Sequence, residues 1–238
     1  MVRVWIFSGS RRWKNWCFLF GGAALCLTLF FMPFLAFEKP QPIYQGNAAE
    51  KKVAFACNVF WGEDILPIMA ERLKPYHITF FIGGIWAEKH PDLVKSLAEA
   101  GHEIANHSYN HPHPNRLSKE KNQEQILQTA ALLESITGQT NRLYAPPYGE
   151  FNDIVLLAAQ ELGYTTTLWS IDTIDWQKPS PEVIMSRVMK KIHPGAIILM
   201  HPMAATSQAL PGLIQKLTEE GYQITTVSDV IASKKQAQ

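Results

Sequence analysis

Residues 101–112 read GHEIANHSYNHP, and this stretch holds the repeating unit from which the fold is built. Gly101 closes a helical pattern over 86–100 that carries Leu93, Leu97 and Ala98 on one stripe, as a glycine just past a helix end does. A short β-rich run at 103–105 follows and opens directly into a polar segment, 106–113. The same order recurs on both sides. VAFAC (53–57) predicts a buried strand, and helix 64–74 follows, with Asp64 as its cap and Ile65, Ile68, Met69 and Leu73 on one face. HITFFIG (77–83) is the next strand. Further strands are expected at 142–145, 165–169, 196–200 and 223–226. Helices are expected at 119–137 behind Ser118, at 152–162, at 180–192, and at 207–220 ahead of Gly221. Strands that alternate with helices make a mainly parallel sheet. Seven of them suit an incomplete α/β barrel or an open doubly wound sheet, and in both a ligand binds beyond the strand C-termini.

Polar residues gather at those ends. Asn58 follows the first strand, NHSYNHPH (106–113) the third, APPYG (145–149) the fourth, SIDTIDW (170–176) the fifth and His201-Pro202 the sixth. His107 and His111 stand four apart, a spacing that puts two imidazoles on one side of a helical turn and suits a divalent cation, although solvated loop histidines show it too. His113, between two prolines, reads as an exposed loop residue. His201 emerges from the buried run GAIIL-Met200, where an imidazole can act as a proton donor, and Asp172 is placed to hold that ring. Asp175 and Trp176 could grip a sugar ring by hydrogen bond and stacking, or the Trp could pack the barrel rim.

The chain has 238 residues and a formal charge of +1, but that charge is unevenly distributed. Arg3, Arg11, Arg12 and Lys14 precede the first acidic residue, Glu38, so the leading segment carries +4 and the remainder −3. Between them, WCFLFGGAALCLTLFFMPFLAF (16–37) is long enough to cross about 30 Å of hydrocarbon. The expected organisation is a basic cytoplasmic tail (1–14), a transmembrane helix (15–37), a Pro- and Gln-bearing linker (38–52), one domain (53–232) and a short tail (233–238). The positive end stays inside, which puts the domain on the outer face of the cell membrane. Cys17 and Cys26 fall in the span, so Cys57 has no disulfide partner in the domain and reads as a small buried hydrophobe. A slightly acidic domain with no basic stripe argues against nucleic acid as a partner.

The order GHEIANHSYNHP, APPYG, SIDTIDW, ILMHP resembles the NodB-homology polysaccharide deacetylases, carbohydrate esterase family 4, from about Val53 to Ile231. It is most similar to their sporulation-type, membrane-anchored subgroup, whose first motif reads like S-F-D-A-A-W-G where this chain has Ala56-Cys57-Asn58-Val59-Phe60-Trp61-Gly62. The resemblance implies a (β/α)7 barrel and the hydrolysis of N-acetyl groups on GlcNAc or MurNAc polymers of the cell wall, assisted by Zn²⁺ or another divalent cation. By that resemblance His107 and His111 are the metal histidines, Tyr148 supplies an oxyanion-binding N–H after the Pro146-Pro147 pair, Pro146 lies at the substrate, Asp172 partners the acid, and His201 is the acid.

The chain also departs from the family pattern. Asn58 and Val59 stand where the family has two aspartates, and Ala145 where it has the arginine that orients the base. An amide cannot serve as a general base at neutral pH. Asn58 could still position the water while Glu63 or Asp64 takes the proton, the metal could lower the water's pKa with His201 supplying the rest, or the barrel could keep its sugar groove as a wall-glycan binding or structural protein. A hydrolase of a different C–N bond is a further reading.

Overall fold

The computed structural model describes residues 39–235. The basic tail, the expected span 15–37 and the last three residues lie outside them. Among the described residues no helix is long and apolar enough to cross a membrane.

Eight strands form one parallel sheet: β1 (Lys52–Val59), β2 (Thr79–Ile82), β3 (Glu103–Asn106), β4 (Leu143–Tyr144), β5 (Thr165–Thr166), β6 (Ile171–Asp172), β7 (Ile197–Met200) and β8 (Gln223–Thr225). Their order is β5-β4-β3-β2-β1-β7-β6, with β8 paired to β1. Between them run α1 (Leu66–Leu73), α2 (Gly84–Lys89), α3 (Pro91–Glu99), α4 (Lys119–Thr137), α5 (Asp153–Glu161), α6 (Pro181–Met189) and α7 (Ala204–Glu219), and α8 (Val227–Lys235) follows β8. The expected parallel α/β class holds, in the form of a curled sheet with β5 and β6 at its edges.

Pleating sorts the side chains. Val53, Phe55, Cys57 and Val59 of β1 pack outward with Leu66, Met69 and Leu213 of the surrounding helices. Ala54 and Ala56 face inward and meet Phe81, Ala105, Leu143, Ala145 and Ile197 of neighbouring strands. The helix α8, which the sequence reading lacked, adds Val227, Val230 and Ile231 to this inner cluster. Its first turn is held by other elements: the Val227 N–H donates to Thr79 Oγ1 at 2.8 Å and the Ser228 N–H to Glu103 Oε2 at 3.2 Å. Orphan donors of a helix start are thus satisfied by strand side chains.

The structure moves several boundaries. The strand expected at 165–169 stops after β5, because Leu168 N–H donates to Ile43 O (2.8 Å) instead of continuing the ladder; Ser170 N–H then reaches Ile197 O (3.0 Å) and leads into β6, within the segment expected as a loop. That same contact corrects the linker reading of 38–52. Ile43 bridges in parallel to Thr167 and Gln45 in antiparallel to Ala196, so residues 43–45 form a strap across the seam from the end of β5 to the start of β7, while 52 already belongs to β1. Helix 86–100 is two helices, interrupted at Pro91, whose ring cannot continue the hydrogen-bond ladder. Asp64 caps nothing: Ile65 is the N-cap and Pro67 sets the first turn, so the helix starts two residues later than expected. Ser118 does cap α4, accepting from Lys121 N–H, and Gly138 ends it in the left-handed region.

The strap depends on a residue without a side chain. A Cβ on Gly46 would lie 2.1 Å from Val230 O of α8. Gly46→Ala therefore has to push strap and helix apart, and it is expected to lower unfolding stability by about 1–3 kcal/mol. A urea midpoint unchanged from wild type would show that the strap does not secure the seam.

Candidate active site

The inward rows of the sheet end in a cleft of about 520 Å³ lined by Asn58, Phe60, Trp61, His107, His111, Tyr148, Gly149, Trp169, Asp172, Trp176, Leu199 and His201. Strand register explains the gathering. Ala56 of β1 is level with Leu199 of β7, and Leu199 with Asp172 of β6. Asn58 and His201 each stand two residues further along the same inward faces, one row nearer the mouth. His107 is two residues past inward-facing Ala105. Five strand ends therefore converge, as the sequence pattern predicts.

His107 is buried, and its Nδ1–H donates to Ala145 O at 2.7 Å. A carbonyl can only accept, so this bond fixes the tautomer and leaves Nε2 with its lone pair. Burial, reinforced by neighbouring His111, pushes the His107 pKa down to about 3, so the ring is neutral near pH 7. His111 lies with its ring centroid 5.0 Å from that of His107, at a φ of 55°. Its pKa is also lowered, chiefly by burial. His113 is not an idle loop residue: it stacks on Tyr148 at 4.3 Å and pairs with Glu150 at 3.0 Å. Tyr148 is pinned between His113 and His111, the latter at 4.6 Å. Its φ of 60° is the strained feature of the APPYG turn, and its N–H has no protein acceptor among the described residues. That leaves the donor available to a ligand. Gly149 is required beside it, since a Cβ there would lie 2.7 Å from the Trp169 indole.

The acid's partner is not Asp172. Asp175 Oδ1 accepts from His201 Nδ1–H at 2.7 Å, and its Oδ2 accepts from the His201 backbone N–H (2.7 Å) and from Thr206 Oγ1–H (2.6 Å). This carboxylate is fully buried and saturated, so it cannot grip a sugar as expected from sequence. Asp172 Oδ1 instead accepts the Ile174 N–H at 2.7 Å, and Ile174 sits at φ 52°, a left-handed turn that brings Asp175 back under His201. Trp61 stacks on the other side of His201, with centroids 5.5 Å apart; it is a wall residue that the sequence reading did not single out. Trp176 lines the cleft and is half exposed. Pro146, expected at the substrate, is buried and outside the lining, and neither Glu63 nor Asp64 reaches the cleft.

The residues present do not complete a metal site. His107 and His111 offer two nitrogens, Asn58 a neutral amide, and Val59 faces the outer core. Among the described residues no three His, Cys, Asp or Glu side chains come close enough to hold a cation. A catalytic zinc site normally uses three protein ligands. Asn58 Oδ1 is buried without a hydrogen-bond partner, which marks the place where the chemistry is incomplete.

The two aspartates should separate cleanly in a stability measurement. Asp175→Ala strands three donors in a closed pocket and is expected to cost about 3–5 kcal/mol. Asp172→Ala should cost less than about 1 kcal/mol. Urea unfolding of both variants checks this, and equal costs would return the imidazole-holding role to Asp172.

Comparison with known proteins places these features. The model of the family described as polysaccharide deacetylase matches residues 56–167. A peptidoglycan-N-acetylglucosamine deacetylase of Bacillus cereus is 30% identical over 211 residues, covering 86% of this chain and 77% of its own length. The uncharacterized protein YlxY of Bacillus subtilis is 42% identical over 195 residues, covering 81% of this chain; the chain spans 61% of that relative's length. Among solved structures, the wild-type family 4 pseudoenzyme BA3943 of Bacillus anthracis is 40% identical with a TM-score of 0.80, over 82% of this chain and 70% of that one. A mutant of BA3943 with restored enzymatic activity has also been solved. With the motif order, the parallel sheet and these matches in agreement, the chain belongs to the polysaccharide deacetylase family.

Proposed function

We propose that this protein is a deacetylase-type hydrolase of N-acetylated cell-wall glycans, GlcNAc or MurNAc polymers, whose acid half is intact and whose base half is missing. The observation that carries the reading is the His201–Asp175 pair facing the same cleft as the unpaired Tyr148 N–H. In such a site water adds to the acetamide carbon and loses a proton to bulk water, the Tyr148 N–H stabilises the oxyanion, and the C–N bond breaks as the Nε2–H of the His201 imidazolium protonates the leaving amine, giving acetate and a free amine. Asp175 accepts the Nδ1–H and so orients the ring and balances the imidazolium charge that this step needs. No carboxylate stands ready for the proton of the attacking water. General acid–base groups typically contribute 10²–10⁴-fold, so turnover by this chain is slow on that scale.

Asn58, Val59 and Ala145 favour a second reading, a wall-glycan binding protein on the same barrel. The basic end and apolar stretch 15–37 support placing the domain on the outer face of the cell membrane.

Acetate release from peptidoglycan or a chito-oligosaccharide, with and without added Zn²⁺, tests the first reading. Release above a His201→Ala control is expected, and Asn58→Asp combined with Ala145→Arg should raise it by at least tenfold. No release from any glycan by the wild type would leave the binding reading standing, with retention on purified wall as its measure. For the topology, protease added to intact protoplasts should digest the 39–235 domain; a protected domain contradicts the outer placement.

A further inference from the structure

Correcting the acid's partner leaves Asp172 without an assigned task, and its surroundings suggest one. Its Oδ1 is taken by the Ile174 N–H, while its second oxygen has no hydrogen-bond or ion-pair partner among the described residues. The side chain lines the cleft with Trp169 and Trp176, one row below Asn58 and His201. No lysine or arginine lines that cleft. Position 145, where the family pattern has an arginine, is a buried alanine of the inner cluster. The other carboxylate nearby, Asp175, is fully occupied by His201 and Thr206. Beside the neutral acceptors Asn58 Oδ1 and His107 Nε2, Asp172 is thus the carboxylate that the cleft offers to a ligand.

A carboxylate in a cleft that indoles also line can accept one hydrogen bond from a neutral acetamide N–H, but it is a stronger partner for an ammonium group. The ammonium makes a charge-assisted hydrogen bond to the carboxylate, and it is attracted to the electron-rich faces of the tryptophans. Trp176 is 53% exposed and can meet the face of a sugar ring, while Trp169 is fixed against Gly149. We propose that the cleft prefers the protonated amine of a de-N-acetylated glycan, with Asp172 as its counter-ion and Trp169 and Trp176 as its walls. In chemical terms the chain recognises the product of a deacetylase, so a reaction that removes N-acetyl groups has to supply its ligand. The inference rests on the glycan-binding reading above and gives it a substrate class.

The test is calorimetric titration of the full chain in detergent with three probes at mildly acidic pH: the tetramer of glucosamine, the tetramer of N-acetylglucosamine, and a lysine-containing stem tetrapeptide. The glucosamine tetramer should bind at least tenfold more tightly than either of the others. Asp172→Asn keeps an oxygen for the Ile174 N–H, so the turn survives, and it should abolish the preference for the glucosamine tetramer. Glu99→Gln, on the outer face of α3, should change nothing. Trp176→Ala, a surface substitution, should weaken both glycans, the glucosamine tetramer more. Equal binding of the two glycans, or a preference that survives Asp172→Asn, overturns the inference and leaves glycan binding intact. Peptide binding as tight as that of the glucosamine tetramer overturns the amino-sugar assignment. Binding of neither glycan defeats the glycan reading itself.

Discussion

Eight residues of β1 carry pairing obligations to three other strands, and the remainder of the domain is arranged around meeting them. Ala54–Cys57 pair with β7 on one edge, Ala56–Val59 with β2 on the other, and Lys52–Ala54 with β8 below β2. A strand with both edges filled has no polar backbone left to expose, and its two faces must then both be apolar. VAFAC meets that demand. Small alanines face the crowded interior and larger residues face the helices. The parity that this imposes runs one residue further and delivers Asn58 to the cleft and Val59 to the outer core. A metal-binding carboxylate at position 59 would have to leave a close-packed apolar layer, so the departure there is part of how β1 packs as well as of how the site reacts.

The sequence disclosed the sheet and the convergence because both follow from period and punctuation. Alternation of short apolar runs with helical stripes, and glycines such as Gly101 and Gly221 past helix ends, are local signals with local causes. Asp64 and Asp172 went astray for a different reason. Each is a plausible residue in a plausible place, and each is displaced by a neighbour whose geometry has no compositional mark. Pro67 shifts the start of α1, and Ile174 adopts a left-handed conformation uncommon for a β-branched side chain. The strap was hidden because residues 38–52 are polar and proline-bearing, which is also the composition of a linker. Its pairing is earned across the chain with Leu168 and Ala196, and no local pattern reports that.

Asp175 shows how the same strand-end geometry stabilises and acts. The carboxylate is sealed from water, yet it accepts hydrogen bonds from two elements beyond its own: the His201 imidazole and backbone N–H, and the Thr206 hydroxyl of α7. A buried charge with unfilled acceptor sites costs several kcal/mol, whereas one met by donors on all sides is tolerated and fixes their positions. His201 is further confined by Trp61 on its other side. The acid half of the site is therefore over-determined by packing, and it persists whatever happens to the base.

The base half lacks that support, which makes its loss intelligible. Ala145 sits in the inner apolar cluster with Ala105 and Leu143, and its carbonyl holds His107. An arginine at that position would place a guanidinium among those side chains, acceptable only if a carboxylate at 58 met it. A carboxylate at 58 without the arginine would in turn be a closed-in anion beside two neutral imidazoles. Either charge alone is penalised and the pair together is not, so the two positions are coupled and the chain occupies the neutral member of the two compatible states. With that pair gone, the charge balance of the cleft passes to Asp172. Asp172 is a carboxylate without a lysine or arginine beside it in the cleft, and a cationic sugar is then a better match for the same fold than an acetylated one.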